Sequence, residues 1–523
     1  MTAIDDAPTK AGRREWLGLA VLALPTFIVA IDLFVLLLAL PNLASDLHAG
    51  ANQQLWITDI YGFVLAGFLV TMGTLGDRIG RRKLLIIGSL AFGVGSIACA
   101  YAPNPETLIV ARALLGVAGA TLMPSTMALI ATLFPNPKQM ATAFGIWAAT
   151  FTLGAIFGPV IGGVMLAHFW WGSVFLLGVP IMLALVIVGP KLLPEFKNPA
   201  AGKIDPTSVV LSLLALLPTI YGIKELAKEG IELVPAASLV IGIGFGVAFV
   251  RRQNRLASPL LDMSLLRNRT IGGSIVGMLC YTSFGGGLLM LMLLYFQLVG
   301  GLSSVQAGAA LVPGMVTGAI GFQVMPKLAA RFRPSYVMAG GMIAAALAFI
   351  TMTQVDANSG NLPLIIAFAA SSLVGVAMPG LGANLIVGSA PPEQAGSAGS
   401  LAQMANEFGS TLGLAIYGTI GAAVYRAVIE LPAGLPAGTA AEAGDSIAGA
   451  AASTAGLSPQ AADALMAPAR EAFVSGLNTV ASIGIVVLVA AAAFVGIRMR
   501  HVPPFGQAEA APAGQEEAAP AES

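Results

Sequence analysis

Residues 73–83 read Gly73-Thr-Leu-Gly-Asp-Arg-Ile-Gly-Arg-Arg-Lys83 and separate two long apolar runs, 54–76 and 84–102. The glycines of this segment permit a tight turn and a close approach of neighbouring helices. Asp77 lies at the end of the first run, where its carboxylate can pair with basic residues on adjacent segments. Such a pairing would hold one conformation and break in another, so we interpret the segment as a conformational gate formed by Gly73, Gly76, Asp77, Arg78, Gly80, Arg81 and Arg82.

The composition around this segment is that of an integral membrane protein. Of the 523 residues, 57% are hydrophobic and only 10% are charged, which is too few charges to cover a soluble domain of this size. Apolar stretches of more than about 18 residues mark membrane spans. We therefore predict an all-α, polytopic protein with fourteen transmembrane helices, at 16–39, 54–76, 84–102, 107–133, 141–166, 170–190, 207–223, 233–250, 271–298, 306–328, 335–354, 361–386, 397–425 and 473–497.

The distribution of basic residues predicts the orientation of these helices. If the N-terminus is cytoplasmic, almost all Lys and Arg residues outside the spans fall in cytoplasmic segments, and the external segments hold only Lys224, Lys228, Arg426 and Arg470. The cytoplasmic loops of membrane proteins carry such an excess. We predict a multi-pass protein of a bacterial cytoplasmic (inner) membrane, with both termini in the cytoplasm.

Two pairs of short patterns indicate an internal duplication. Leu75-Gly-Asp-Arg-Ile-Gly80 aligns with Leu328-Ala-Ala-Arg-Phe-Arg333, and both Pro137-Lys-Gln and Pro392-Glu-Gln precede a Gly-x-x-x-Gly pattern by the same distance. Helices 1–6 then correspond to helices 9–14, and a binding site is expected between the halves. The predicted parts are a cytoplasmic N-terminus (1–15), an N-terminal six-helix half (16–190), a linker with two inserted helices (191–270), a C-terminal half (271–497) with a long external loop (426–472), and a disordered cytoplasmic tail (498–523).

The fifth predicted helix carries the glycine-rich run Gly154-Ala-Ile-Phe-Gly-Pro-Val-Ile-Gly-Gly163. Gly154, Gly158 and Gly162 recur every four residues and share one helical face, so a partner helix can pack closely against them. Pro159 removes one backbone donor and permits a bend. We include these four residues in the set that takes part in conformational change.

Several segments resemble one known family. The segment 73–83 resembles the signature of the major facilitator superfamily between its second and third helices, and 154–163 resembles the motif that marks antiporters within it. Helix 1 carries Ile31-Asp-Leu-Phe-Val-Leu-Leu-Leu-Ala-Leu-Pro41, which is similar to the helix-1 motif of fourteen-helix drug:proton antiporters. Other segments look like the branch that exports quaternary ammonium compounds and dyes: Gln54-Leu-Trp-Ile-Thr-Asp-Ile-Tyr61, Leu122-Met-Pro-Ser-Thr126, Trp171-Gly-Ser-Val-Phe175 and Arg251-Arg-Gln-Asn-Arg255. The resemblance implies the major-facilitator fold and proton-coupled export of hydrophobic, mostly cationic drugs by alternating access.

Four ionisable residues lie at span depth, where each costs roughly 2.5–3.5 kcal/mol or more: Asp32, Asp59, Arg112 and Glu407. We interpret Asp32 as the proton carrier, because a buried carboxyl can hold a proton and release it into a cavity. Arg112 would pair with the deprotonated Asp32. Glu407 would attract a cationic substrate or carry a second proton, and Asp59 would draw cations into the mouth.

A hydrophobic cation also needs aromatic faces and adaptable apolar walls. We therefore expect the substrate to contact a set of acidic, aromatic and amide side chains: Asp32, Asp59, Tyr61, Trp147, Phe151, Asn406 and Glu407. Proton coupling is assigned to Asp32, Arg112 and Glu407. For each of these residues, helix packing or a structural ion pair is the alternative interpretation.

Other functions would leave signatures that this sequence lacks. It has no His-Glu-x-x-His pattern, no Walker A loop and no histidine inside a predicted span, so we predict neither an enzyme nor an ATP-driven transporter. The helix-5 motif disfavours an uptake symporter, whereas an exporter of an endogenous lipid or secreted metabolite on the same scaffold stays open. We expect no cofactor beyond the proton gradient, no metal site, hydrophobic cations and the lipid bilayer as partners, no nucleic acid, and function as a monomer.

Overall fold

The structure is a computed structural model that describes residues 11–49, 51–197, 205–229, 232–256, 259–432, 437–454 and 458–505. In this part of the chain fourteen helices are long and apolar enough to cross a membrane, which confirms the predicted number. The predicted N-terminal segment is described only from Ala11, and the predicted C-terminal tail only as far as Phe505; the rest of both lies outside the described residues.

The membrane helices are numbered in chain order. Those of the N-terminal half are Arg13–Asp46 (α1), Ala51–Ile79 (α2), Arg81–Ala100 (α3), Pro105–Leu133 (α4), Pro137–His168 (α5) and Gly178–Leu192 (α6), the last preceded by the single turn Ser173–Leu176. The inserted pair comprises Pro206–Glu229 (α7) and Leu233–Gln253 (α8). Those of the C-terminal half are Arg269–Leu294 (α9), continued by the π-helical turn Tyr295–Val299, then Ser304–Arg331 (α10), Pro334–Ile350 (α11), Leu362–Gly375 with Ala377–Gly388 (α12), Ala395–Val428 (α13) and Pro459–Arg498 (α14).

The last helix begins earlier than the sequence predicts. Residues 459–472 are predicted to belong to an external loop, whereas the structure makes them the first turns of α14. Ser458 caps the helix, since its hydroxyl accepts a hydrogen bond from the N–H of Ala461 at 3.3 Å, and Pro459 occupies the first position, where a missing N–H leaves no intrahelical bond unmade. Two short helices, Ala437–Asp445 and Ile447–Ala452, precede it.

The two halves have the same internal packing, as the predicted duplication would require. In the N-terminal half α1 packs on α5, α2 on α4 and α3 on α6. In the C-terminal half α9 packs on α13, α10 on α12 and α11 on α14, so each pair recurs at a shift of eight helices. The inserted helices α7 and α8 pack mainly on each other, and α7 also contacts α2 and α13.

Large apolar side chains cover the outside of the bundle. Leu114 on α4, Val240 on α8, and Val486 and Ile497 on α14 are each at least 63% exposed. An exposed apolar surface that is spread over many helices would be unfavourable in water and marks contact with lipid. The chain is therefore a multi-pass membrane protein.

Both ends of the described chain lie at the same end of the bundle, because fourteen is an even number of crossings. The N–H of Ala11 donates to the side chain of Gln139 at the start of α5 (2.9 Å), and the N–H of Phe505 donates to the carbonyl of Ala329 near the end of α10 (3.0 Å). We call this the basic end, after the arginines and lysine of the turn between α2 and α3, and we call the other the opposite end.

Gly154 and Gly162 of α5 lie against α1, which is therefore the close partner that their spacing predicts. A Cβ atom added to Gly154 would lie 2.6 Å from the carbonyl oxygen of Phe27 and 2.7 Å from the Cβ of Ala30. One added to Gly162 would lie 3.0 Å from the side chain of Val35. The two distances at Gly154 are shorter than real Cβ atoms show, so only glycine at that position allows the two helices to approach this closely, whereas at Gly162 the side chain of Val35 would have to shift.

We expect Gly154→Val to destabilise the N-terminal half, because its side chain would force α1 and α5 apart. Overpacking a tight contact costs roughly 1–3 kcal/mol or more, so the midpoint of thermal unfolding in detergent is expected to fall. The matched control is Gly163→Val on the same helix, where an added Cβ meets no atom within 4 Å. Equal unfolding midpoints for the two variants would contradict this account of the contact.

Candidate functional site

Asp32 on α1 and Arg112 on α4 form a buried ion pair. The Nη1 of Arg112 lies 2.8 Å from the Oδ2 of Asp32, and the two side chains are 1% and 11% exposed, respectively. Removing one partner of such a pair leaves an uncompensated buried charge, at a cost of about 3–5 kcal/mol. The pairing has the geometry that the sequence predicts, and its role in proton coupling remains a prediction.

Arg112 also has a set of neutral partners. Its Nε donates to the carbonyl oxygen of Ile57 on α2 at 3.1 Å, and its guanidinium lies 4.8 Å from the ring centre of Tyr61 and 5.9 Å from that of Phe175. A desolvated cation over an aromatic face gains about 2 kcal/mol or more. Because these contacts do not depend on the charge of Asp32, protonation of that carboxylate would not leave Arg112 without partners.

The ion pair lies close to the opposite end of the bundle. Arg112 stands seven residues after Pro105, the first residue of α4, which places it about 10 Å along that helix. Asp59 lies on α2 two residues after Ile57, and its side chain is outside the described part of the structure. Asp32, the ion-pair partner of Arg112, therefore also lies near this end.

Glu407 lies in the other half, twelve residues into α13 and so about 18 Å from the basic end. Its Oε1 accepts a hydrogen bond from the side chain of Gln403 at 3.0 Å. The carboxylate lines a crevice between α2, α7 and α13, whose walls are otherwise mostly apolar: Gly62, Phe63, Ala66, Leu216, Ile220, Met404, Phe408 and Thr411.

The other side chains predicted to contact substrate differ in exposure. Tyr61 is fully buried, and Trp147 is 8% exposed, with its indole N–H donating to the hydroxyl of Thr126 at 3.2 Å. Phe151 and Asn406 are half-buried. In this conformation Tyr61 and Trp147 hold helices together, so substrate contact at these positions stays a prediction.

Asp77 joins the two halves at the basic end. Its Oδ1 accepts from the N–H of Gly396 (3.0 Å), and its Oδ2 accepts from the N–H (2.9 Å) and the hydroxyl (3.1 Å) of Ser397. These two residues belong to the first turn of α13, whose N–H groups have no partner within the helix. The carboxylate therefore caps α13 from the other half, where the helix dipole also favours a negative charge.

Arg81 binds the same carboxylate and continues into the C-terminal half. Its Nε lies 3.0 Å from the Oδ1 of Asp77, and its Nη2 donates to the carbonyl oxygen of Pro392. The side chain is 1% exposed and also donates to the hydroxyl of Thr132 at 3.2 Å. Asp77 and Arg81 thus form a buried polar contact across the interface between the halves.

Further hydrogen bonds join the two halves at the basic end. The hydroxyl of Ser400 donates to the carbonyl oxygen of Leu69 at 2.9 Å, and the hydroxyl oxygens of Thr74 and Ser397 lie 3.3 Å apart. Gly73 allows this approach, since a Cβ there would collide with Ser400. The halves are therefore closed against each other at this end.

Helix α5 packs on α10 across the two halves. Under the shift of eight helices, α5 corresponds to α13 and α10 corresponds to α2, so this contact is the counterpart of the one between α2 and α13. A Cβ added to Gly145 on α5 would collide with the carbonyl oxygen of Phe322 on α10. A Cβ added to Gly388, the last residue of α12, would lie 2.7 Å from the Cε of Met140 near the start of α5. Closure at the basic end is thus two-sided.

The remaining predicted gate residues shape the elements beside this contact. Gly80 has a φ of +112°, a conformation that suits only glycine. The N–H of Arg82 donates to the carboxylate of Glu195 at 3.2 Å, which ties the start of α3 to the end of the N-terminal half. Gly76 and Gly158 are buried within the same half, and the side chain of Pro159 lies outside the described residues.

A third element lies on the closed contact. We call residues 259–263, between α8 and α9, the strap. The carbonyl oxygen of Leu260 accepts from the hydroxyl of Thr74 on α2 (2.5 Å), and that of Pro259 accepts from Arg78 (3.4 Å). The sequence predicts a basic linker here and gives no sign of these contacts, because they use backbone carbonyls.

Polar side chains attach the strap to the inserted helices and to the C-terminal half. Gln253, at the end of α8, accepts with its Oε1 from the N–H groups of Leu260 (2.6 Å) and Leu261 (3.3 Å). Asp262 accepts from the side chain of Gln394, just before α13, at 3.4 Å. The strap therefore links the inserted pair to both halves at the place where they meet.

Together these features define a class of protein: a helical membrane transporter of two duplicated halves, which are closed at one end around a buried carboxylate. The comparisons with known proteins give the family. The chain belongs to the major facilitator superfamily, because the model of that family, described as Major Facilitator Superfamily, matches residues 22–414.

The chain is similar to several curated efflux and resistance proteins. It is 42% identical to the multidrug efflux pump LfrA of Mycolicibacterium smegmatis, over 96% of this chain and all of that protein. It is 35% identical to the methyl viologen resistance protein SmvA of Salmonella typhimurium, over 88% of this chain and 93% of that one. The tetracenomycin C resistance and export protein of Streptomyces glaucescens is 32% identical over 78% of this chain and 76% of its own length.

A solved structure shares the fold. The crystal structure of the human organic anion transporter MFSD10 (TETRAN) superposes with a TM-score of 0.57, over 91% of this chain and 99% of that chain, at 14% sequence identity. This likeness confirms the major-facilitator architecture and carries no information on substrate.

Proposed function

We propose that this protein is a proton-coupled antiporter that exports hydrophobic, mostly cationic drugs, dyes and quaternary ammonium compounds across the bacterial cytoplasmic membrane. The names of its relatives support the substrate class: one is a multidrug efflux pump, and another confers resistance to methyl viologen, an organic cation. The two halves of one chain form the site, so the proposed working unit is a monomer in the lipid bilayer, with the proton gradient as its energy source and no nucleic acid involved.

The observation that carries the proposal is the presence of two carboxylates in different settings. Asp32 is paired with Arg112 near the opposite end, where it can exchange a proton while Arg112 keeps its neutral partners. Glu407 lines an apolar crevice near the middle of the membrane, where its negative charge would favour a hydrophobic cation over a neutral compound of the same shape. One carboxylate thus suits the proton and the other suits the drug.

The closed contact at the basic end corresponds to one state of an alternating-access cycle. By the positive-inside rule we take this end to be cytoplasmic, and we therefore assign the structure to the outward-facing state. Uptake of a proton by Asp32 from outside would weaken its pairing with Arg112 and favour a state in which the bonds of Asp77 to α13 are broken. The cation would then enter from the cytoplasm, and release of the proton inside would complete the exchange.

Dye transport in proteoliposomes tests the proposal. The purified protein is reconstituted with an imposed pH gradient, and ethidium movement is followed by fluorescence, with and without an ionophore that collapses the gradient. We expect movement against the dye gradient only while the pH gradient lasts. If the folded protein moves no dye under any gradient, the proposal fails, and export of an endogenous lipid or secreted metabolite becomes the function to test.

Glu407→Gln is expected to lower transport of ethidium by roughly tenfold or more, because the favourable interaction with a cation in a low-dielectric crevice is lost. Transport of an uncharged hydrophobic substrate is expected to change little. The matched control is Glu430→Gln, the same change at an exposed position just beyond α13. An equal loss for charged and uncharged substrates would show that Glu407 does not select cations.

A further inference from the structure

A cleft between α7 and α8 at the basic end lies apart from both carboxylates and from the contact between the halves. Its lining combines aliphatic side chains with guanidinium groups and consists of Leu211, Ala248, Arg251, Arg252, Arg255 and Leu256. Its volume of 390 Å³ falls in the range of roughly 300–1,000 Å³ that is usual for small-ligand sites. Nothing in the proposed transport cycle uses it.

One of the three arginines of the cleft is neutralised by the protein, and it is held in a fixed position. Asp205 receives two hydrogen bonds from Arg252, at 2.6 Å (Nε to Oδ2) and 3.1 Å (Nη2 to Oδ1). The hydrogen bond from Arg252, helped by one from Ser208, lowers the pKa of Asp205 below its usual range, so the pair stays ionised at neutral pH. A bidentate pair of this kind fixes the guanidinium plane.

The other two arginines have no acidic partner in the described part of the chain. The guanidinium groups of Arg251 and Arg255 make no ion pair or hydrogen bond with any residue in the described part of the chain. With the charge of Arg252 balanced by Asp205, these two guanidinium groups give the cleft its excess of positive charge. A ligand with a delocalised negative charge, such as a phosphate, would satisfy both guanidinium groups at once.

The cleft also borders the lipid-facing surface. Val247 and Val250 on the same stretch of α8 are 47% and 43% exposed, and Arg251 and Arg252 stand in the last turn of that helix. This is the level of the membrane at which phospholipid headgroups lie. Basic clefts between transmembrane helices at this depth are suited to anionic lipid headgroups.

We propose that this cleft binds the phosphate headgroup of an anionic phospholipid, with Arg251 and Arg255 contacting the phosphate and the apolar wall contacting the glycerol and upper acyl chain. The site is independent of the drug and proton sites and would be occupied throughout the transport cycle. The inserted helices have no counterpart in either six-helix half. This site would give them a contact with the membrane that depends on the chemistry of the lipid headgroup.

Native mass spectrometry of the full-length protein tests this site. The protein is extracted from nanodiscs that contain equal amounts of phosphatidylglycerol and phosphatidylcholine, and the lipids that stay bound are counted. We expect wild type to retain phosphatidylglycerol in preference, and Arg251→Gln/Arg255→Gln to bind it about thirty-fold more weakly, since each basic group near the surface contributes about a fivefold factor. The matched control is Arg267→Gln/Arg269→Gln, which removes the same charge from exposed positions of the same linker.

The alternatives have distinct outcomes. Equal retention of both lipids by wild type, or equal loss in the two double variants, would overturn the proposal, because the arginines would then act only through net charge. Thermal unfolding with inorganic phosphate alone separates the sources: if free phosphate protects wild type as well as phosphatidylglycerol does, and the Arg251/Arg255 variant is not protected, the cleft is a phosphate site and the lipid assignment is wrong.

Discussion

Asp32→Asn is expected to abolish efflux driven by the pH gradient while leaving the protein folded. Asparagine has nearly the same volume as aspartate, and its carbonyl oxygen can still accept from Arg112, whose bond to Ile57 and contact with Tyr61 persist. The variant cannot bind or release a proton at this position, so the gradient has no group through which to act. Ethidium transport is expected to fall to that of protein-free liposomes, with the affinity for the dye changed by only a few fold.

Two controls separate loss of coupling from loss of structure. Asp46→Asn makes the same change at the exposed last residue of α1 and is expected to transport like wild type. Arg112→Ala leaves Asp32 buried without its cation, at a cost of about 3–5 kcal/mol, and is expected to lower the midpoint of thermal unfolding as well as transport. Gradient-driven efflux by Asp32→Asn at the wild-type rate would show that the proton travels elsewhere.

Asp77→Asn is expected to open the basic end. The carboxylate accepts from Gly396, from Ser397 and from Arg81, and a hydrogen bond to a charged group contributes about 1.5–3 kcal/mol. An amide can accept through one oxygen only, and it leaves buried Arg81 without its counter-charge. The closed state is thus destabilised by several kcal/mol, and since about 1.4 kcal/mol corresponds to a tenfold change in population, most molecules should leave it.

Cysteine accessibility measures this shift. The native Cys99 and Cys280 are replaced, and Ala395, which is 3% exposed at the start of α13, is changed to cysteine. We expect a maleimide to label this position at least about tenfold faster in Asp77→Asn than in the parent, with transport lost because the cycle needs both states. Glu393→Gln, an exposed neighbour, is the control, and unchanged labelling in Asp77→Asn would contradict the role of the carboxylate in closure.

Most of the fold could be predicted because the bilayer imposes a simple rule on sequence. A span needs about 20 apolar residues, so the fourteen helices and their duplication are visible as runs and spacings. The start of α14 could not be predicted in this way, because the residues after Ser458 are small and only weakly apolar, and a helix that projects beyond the membrane needs no hydrophobic run. The Ser458-Pro459 cap was the available signal, and it marks the start of the whole helix.

The candidate site also contains residues that could be predicted from the sequence and contacts that could not. Asp32, Arg112 and Glu407 could be found from sequence because a charge within an apolar run is conspicuous, and Asp77 because it stands in a recognisable turn. Their partners were missed where those partners are backbone groups, as with the carbonyl of Ile57 and the N–H groups that begin α13. Every residue carries such groups, so only the tertiary structure shows which of them are used.

The strap was missed for a related reason. Its contacts run through two carbonyl groups and through Gln253, a buried amide that follows two arginines in a segment which reads as a positively charged loop. Basic residues at the end of a span are expected for topology alone. For this reason nothing in the sequence predicts a role for Gln253, which lies among them, or a cleft lined by the arginines. Only the structure shows that Gln253 is buried, with 2% of its surface exposed, between arginines that are more exposed.

Substrate-induced proton release tests the exchange of proton for drug most directly. Ethidium is added to the purified protein in weakly buffered detergent solution, its binding is verified by fluorescence, and the pH of the solution is recorded. The account predicts that wild type releases protons as the dye binds and that Asp32→Asn binds the dye without release. Dye binding by wild type with no proton release, or undiminished release from Asp32→Asn, would contradict it.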